Sequence, residues 1–323
     1  MTVTVERVVL ATDGSASAAT AAAHAVFLAR VLDVPLHVVS ATGTPPAPAT
    51  ETAAPSASAA FEAEEAVGAV TRRALLAGVR LTSEVAGGPA ATVVERAVGD
   101  GDLLVLGRRG RTDSGRFLVG SVAERILDDP PAPTLVVPAG LSQPTYRRIA
   151  LLASDAPSSE PTATLARRIA AATRGTLEPL AVVDERDAAI ASPETRRALE
   201  REARTRVKDV VAAAARDAVE SGGTVRTGVP TAELLAHVER TGADAVVLGV
   251  GGNGRSGRSG GDGGSDGSDE NGESGDAPRP SEHRATEVVA NRTVRHAAVP
   301  TLVVPTPDDA GNDADNGGPY EHR

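Results

Sequence analysis

The chain has 323 residues, with 33 Lys and Arg against 43 Asp and Glu and a formal charge of −10. That length suits two domains of ordinary size, and the acidic balance argues against nucleic-acid backbones and anionic membranes as partners. Cysteine is absent and aromatics make up 2%, which excludes disulfides, thiolate ligands and a cysteine nucleophile and leaves little for stacking on bases.

Met1 to Leu10 holds Glu6 and Arg7 and lacks the basic-then-apolar order of a signal peptide. No apolar run approaches the roughly 20 residues that cross a bilayer, so the expectation is a soluble, cytoplasmic protein. The pattern predicts a first strand over Arg7 to Thr12 and then a helix. Ser15 would cap it, and Ala18, Ala22, Ala25, Ala29 and Leu32 would form its apolar face. Further short apolar runs follow at Pro35 to Ser40, Val79 to Ala86, Asp102 to Gly107 and Thr134 to Pro138. Pro89, after Gly87-Gly88, suits a first helical turn because proline loses no hydrogen bond there. Short β-branched runs alternating with alanine-rich helical stretches indicate an α/β fold, a parallel sheet covered by helices.

The pattern then repeats. Asp102 to Gly107 (DLLVLG) aligns with Asp244 to Gly249 (DAVVLG) at an offset of 142, which also maps Ala11-Thr12-Asp13 onto Ala153-Ser154-Asp155. Thr134 to Pro138 (TLVVP) recurs at Thr301 to Pro305 at an offset of 167, so the second copy carries 25 extra residues between these landmarks. They fall in the Gly, Ser, Asp and Glu stretch from Asn253 to about Arg284, a composition that cannot bury enough surface to order itself. The expected organisation is a first domain over 1–140, a second over 147–306 with a disordered insert near 253–284, and a disordered tail at 307–323. The charge run at Arg196 to Lys208 reads as a solvated helix face.

Ligands of a parallel sheet bind beyond the carboxyl ends of its strands, where Asp13 and Gly107 would both arrive. From Gly107 the chain reads GRRGRTDSGRFLVGS. Gly107 and Gly110 would admit a phosphate to the backbone and adopt positive φ. Gly120 and Ser121 would open a helix whose free amides favour an anion, and Asp13 could accept from an adenosine. Arg108, Arg109, Arg111 and Arg116 could screen a triphosphate, although loop arginines are commonly solvated.

This spacing, with Ala11-Thr12-Asp13-Gly14-Ser15 at the first strand, resembles the ATP-binding pattern of the universal stress protein family, and the resemblance covers both copies. It implies two adenine-nucleotide-hydrolase-like (Rossmann-like) domains, each a five-stranded parallel sheet in the order 3-2-1-4-5 with helices on both faces. It also implies dimerisation through the last strand. In a tandem chain, residues 134–138 and 301–305 would then pair as an internal pseudo-dimer, with room for further self-association. The resemblance assigns Asp13 and the backbone of Val38 to the adenosine, and Leu106, Gly107, Gly110, Gly120, Ser121 and Val122 to phosphate and ribose, with Ala11, Thr12 and Arg109 also at the nucleotide site. In copy two, Gly249 and Gly252 remain, but Glu287 and Val288 stand where Gly120 and Ser121 would be, and a carboxylate there repels phosphate. ATP with Mg²⁺ is therefore expected in the first copy only.

Other motif-like strings carry no site. Gly249 to Gly254 spells GxGxxG and two GxSxG strings occur between Gly257 and Gly267, but the filler around them supplies no helix for a dinucleotide site or a nucleophile elbow. There is no GK[ST] loop, SGGxDS, HIGH or KMSKS, and the six histidines show no ligand grouping. Asp113 is a poor base for hydrolysis, so enzymatic activity would be at most slow. The expected function is an ATP-binding regulatory module, with a nucleotide-independent scaffold or a weak ATPase or adenylating enzyme as alternatives.

Overall fold

The computed structural model of the protein describes residues 4–43, 57–110, 119–154, 159–251 and 280–305. The first half contains β1 (Arg7–Ala11), α1 (Ala16–Leu32), β2 (Leu36–Ala41), α2 (Ala57–Leu76), β3 (Leu81–Ala86), α3 (Ala90–Ala97), β4 (Asp102–Gly107), α4 (Ser121–Asp128) and β5 (Thr134–Val137). The second contains β6 (Arg148–Leu152), α5 (Ser159–Thr173), β7 (Thr176–Asp184), α6 (Glu185–Ile190), α7 (Pro193–Arg216), β8 (Thr224–Gly228), α8 (Pro230–Thr241), β9 (Ala245–Val250), α9 (Pro280–His296) and β10 (Thr301–Pro305).

All ten strands share one sheet, in the order β3-β2-β1-β4-β5-β10-β9-β6-β7-β8. Pairing is parallel within each half. The halves meet where β10 runs antiparallel to β5, with Leu302 opposite Leu135 and Val303 opposite Thr134. The outermost strands are short and polar, Glu84 lying on β3 and Arg226 on β8, which blunts the free edges against pairing with another chain.

Alternation assigns each strand residue to a layer. Val8, Leu10, Leu36, Val38, Leu103 and Val105 pack with α1 and α2, whereas Val9, Val39, Leu104 and Leu106 pack with α3 and α4. Both faces are covered, which is why the strands read as continuous apolar runs. The larger cluster crosses the seam and joins Leu28 and Leu135 to Ile149, Ile169 and Leu302. Complete burial of each such side chain contributes about 1.5–3 kcal/mol. The alanines of α1, buried nearly all round, let it lie close to the sheet and to α5.

The structure adjusts several expectations. Ser15 caps α1, accepting from the Ala18 amide at 3.1 Å. Pro89 is the cap residue of α3 rather than its first helical residue, while Pro230 does open α8. The charge run lies inside α7, capped by Ser192. Helix α9 begins at Pro280, so the last residues of the expected insert are helical; 253–279 and the tail 307–323 lie outside the described residues.

The connection between halves is held by a buried polar chain. Tyr146, at φ 49° and 2% exposed, places its hydroxyl 2.7 Å from His24 Nδ1. His24 Nε2 lies 2.7 Å from the Leu141 carbonyl. A carbonyl can only accept, so Nε2 carries the proton, and neutral Nδ1 accepts from the tyrosine. Burial lowers the His24 pKa, outweighing the Leu141 hydrogen bond and the charge of Asp244. Tyr146→Phe leaves buried Nδ1 without a donor and should cost about 1–3 kcal/mol in urea unfolding.

The folded-state pKa of His24 lies below its unfolded value near 6.5, so the unfolded chain binds the extra proton. The stabilisation is complete above about pH 6.5 and is lost as pH falls through the folded pKa. Melting temperatures should therefore decline from pH 7.5 to 5.5, with a shallower decline in His24→Gln.

Candidate functional site

The carboxyl end of β1 turns into α1 through a compact set of local bonds. Thr12 donates its amide to the Val39 carbonyl at 2.9 Å, and its hydroxyl accepts from the Gly14 amide at 3.3 Å. Asp13 Oδ1 accepts from the Ser15 amide at 2.9 Å. Gly14 has φ 76°, and a Cβ there would meet the Ala66 side chain of α2 at 3.3 Å. This turn forms one end of a cleft of about 380 Å³ between α1 and α2, lined also by Glu62, Glu65 and Arg73. Three carboxylates against one guanidinium make it a poor place for phosphate.

The segment that follows β4 packs against the first turn of α1. A Cβ on Gly107 would fall 2.8 Å from Ser17 Oγ and 2.9 Å from the Ser17 carbonyl carbon. Glycine is thus required by the first turn of α1, and Gly107 does not take the positive φ expected of it. Ser17 Oγ accepts from the Arg109 amide at 3.3 Å, and the Arg108 carbonyl accepts from the Gly120 amide at 2.8 Å. These bonds bring α1, the Gly107–Gly110 segment and α4 to one corner of the sheet.

Gly120 caps α4 in extended conformation, φ −68° and ψ 154°, and offers no capping side chain. The first intrahelical bond runs from the Glu124 amide to the Gly120 carbonyl at 2.8 Å. The amides of Ser121, Val122 and Ala123 consequently have no partner within the helix, and the positive end of its dipole coincides with them. Ser121 is exposed and Val122 half-buried. Beside them, Ala11, Ala41, Val119 and Val122 form a partly buried apolar strip over the cluster beneath α3 and α4.

The other residues of the expected site sit at different depths. Val38 is fully buried inside β2, level with Leu10 of β1 and Ser83 of β3, three residues short of the strand end. The residue on the edge is Ala41. Leu106 is 3% exposed and its side chain packs in the core, leaving its backbone, level with Val136, near the edge. The Arg108 guanidinium turns away from α4 to the end of α9, donating to the Ala297 carbonyl at 2.9 Å. Arg109 and Gly110 stay half-buried at the corner, while Arg111, Asp113 and Arg116 lie outside the described residues.

Copy two is built differently at the matching place. Ser121, which opens α4, corresponds to Val288, whereas α9 already opens at Pro280. Glu287 and Val288 therefore fall inside α9 and not at its start. Backbone amides at that depth bond to carbonyls one turn back, so no helix start lies at that position. The Gly251 amide meets the Thr286 hydroxyl at 3.4 Å. Asp155 and Gly252 lie outside the described residues.

Among the described residues, no group of three or more His, Cys, Asp or Glu could hold a metal ion, and no helix is long and apolar enough to cross a membrane. A profile of the universal stress protein family matches residues 4–138 and again 145–264. Universal stress protein MJ0531 of Methanocaldococcus jannaschii is 34% identical over 140 residues, 41% of this chain and 81% of that protein. A universal stress protein from Archaeoglobus fulgidus superposes with a TM-score of 0.67 at 16% identity, covering 94% of this chain and 99% of its own. The functionally unknown protein PA1789 from Pseudomonas aeruginosa PAO1 gives 0.59 at 14%, covering 95% and 94%. At those identities the two structures establish the fold, and the double profile match establishes the family. The chain belongs to the universal stress protein family and carries two of its domains in tandem.

Proposed function

We propose that the first half binds ATP or a related adenine nucleotide and that the protein acts as a regulatory stress-response module in the cytoplasm. The observation that carries this reading is the start of α4, where three amides lack helical partners and the Gly120 amide bonds to the carbonyl of Arg108, the residue before Arg109 and Gly110. The amides of Ser121, Val122 and Ala123 would donate to phosphate oxygens, with the Ser121 hydroxyl adding a fourth donor. Ala11, Ala41 and Val122 would carry the base, and Asp13 would accept from a ribose or amino group. Mg²⁺ would enter with the triphosphate as its counterion, since no described cluster of carboxylates is built to hold it alone.

Binding in the first half only is part of the proposal. It is supported by the continuation of α9 through the position that corresponds to the start of α4. The division of the chain at 1–140 and 147–306, with pairing of 134–138 to 301–305, makes the second half a built-in partner. The scaffold alternative describes that second half and is compatible with a single site.

Calorimetry with ATP and Mg²⁺ should report one site per chain. Ser121→Asp keeps a favourable helix start but fills the anion position with a fixed carboxylate. Affinity should fall by about tenfold, because a charge at a helix terminus is worth up to ~2 kcal/mol. Gly120→Val should weaken binding by placing an isopropyl group at the approach to the same amides. Two equal sites, or unchanged affinity in both variants, would refute the proposal.

A further inference from the structure

The arginine that turns away from the candidate site has a destination in the other half. Arg108 Nη1 donates to three carbonyls at the end of α9: Val294 at 3.3 Å, Arg295 at 3.4 Å and Ala297 at 2.9 Å. These are the acceptors a helix leaves without partners at its C-terminus, where a cation is also favoured by the dipole. Arg108 Nε is buried with no hydrogen-bond partner, so the guanidinium is withdrawn from solvent to reach α9. Meanwhile the Arg108 backbone carbonyl holds the Gly120 amide at 2.8 Å. One residue therefore grips the cap of α4 with its backbone and the end of α9 with its side chain.

A second contact runs the other way. Arg295 of α9 reaches Glu124 in the first turn of α4, Nη2 to Oε1 2.5 Å. The two ties close a ring from Arg108 to Gly120, along α4 to Glu124, across to Arg295, and back through the Arg295 carbonyl to Arg108. Behind the ring, Leu127 and Val119 of the first half share an apolar cluster with Ala290 and Val294 of α9.

Among the described residues, the positions that correspond to the ring in the other copy carry different side chains. The repeat maps Arg108 onto Val250, which is 2% exposed, and maps Glu124 and Arg295 onto Asn291 and Asp128.

We propose that the second half regulates the first through α9, with Arg108 as the positioning residue: the Arg108 and Arg295 contacts make phosphate capture at α4 and ordering of the α9 C-terminal turn one coupled event. The inference rests on the nucleotide reading above. Coupling of this kind is reciprocal, so breaking the ring weakens the nucleotide site, and filling the site steadies α9.

The test uses the full chain in four forms: wild type, Arg108→Gln, Arg295→Gln and the double variant. Affinity for ATP with Mg²⁺ is measured alongside amide exchange across 119–124 and 293–297, where the Ala297 amide normally donates to the Thr293 carbonyl at 2.7 Å. In the wild type, ATP should slow exchange in both segments. Each single variant should bind about fivefold more weakly, keep the response at 119–124 and lose it at 293–297. The double variant should bind no worse than the weaker single variant, since a ring opened once is already open. Protection confined to 119–124 in the wild type, or losses that multiply in the double variant, would overturn the coupling and leave the nucleotide reading intact. No protection at 119–124 would overturn the nucleotide reading, and the coupling with it. Should Arg108→Gln fail to fold, Arg295→Gln, altered at a partly exposed position on the opposite half, decides the question by itself.

Discussion

The antiparallel pairing of β5 with β10 is the constraint from which the rest of the architecture follows. Each half ends in a strand of sequence Thr-Leu-Val-Val, buried throughout. Alone, either strand would expose an apolar edge with unpaired backbone groups, a template for aggregation. Placed against each other they leave only the polar strands β3 and β8 at the margins of the sheet. The core then runs across the seam, α1 packs on α5, and the connection through Tyr146 is buried against His24.

The same antiparallel relation determines which loops meet which helices. Carboxyl ends of the first five strands point one way and those of the second five the other. The C-terminal end of α9 therefore lies beside the loop that follows β4, where Arg108 meets it. At the far end the repeat places Val250, which has no guanidinium, where Arg108 stands in the first half. The backbone thus repeats across the two halves, while the side chains at the two ends of the sheet differ.

Much of this was legible in the sequence because burial on both faces leaves uninterrupted runs such as DLLVLG and TLVVP, whose repetition reveals the duplication. The first cap was also readable, since Ser15 directly precedes an alanine-rich helical face. Local pattern was less informative where pairing register decides the outcome. The Val38 backbone was assigned by family resemblance, and nothing in the Leu36-His37-Val38-Val39 string showed that the ladder sets Val38 beside Leu10 and carries the strand on to Ala41. The role of Gly107 was likewise hidden, because its close neighbour, Ser17, belongs to a helix ninety residues earlier. Nor could composition show that α9 would start as early as Pro280, since the residues before it look like the filler they follow.

We propose that the corner formed by β1, β2 and the start of α4 receives an adenine ring, and that the equivalent corner of the second half does not. Photolabelling with 8-azido-ATP and Mg²⁺, followed by mapping of the modified peptides, tests it directly. The account predicts label within peptides containing Ala41 or Val119 to Val122, suppressed by excess ATP, with none in the peptide containing Glu287 and Val288. Equal labelling of the two halves, or label confined to the α1–α2 cleft around Glu62 and Arg73, would contradict it.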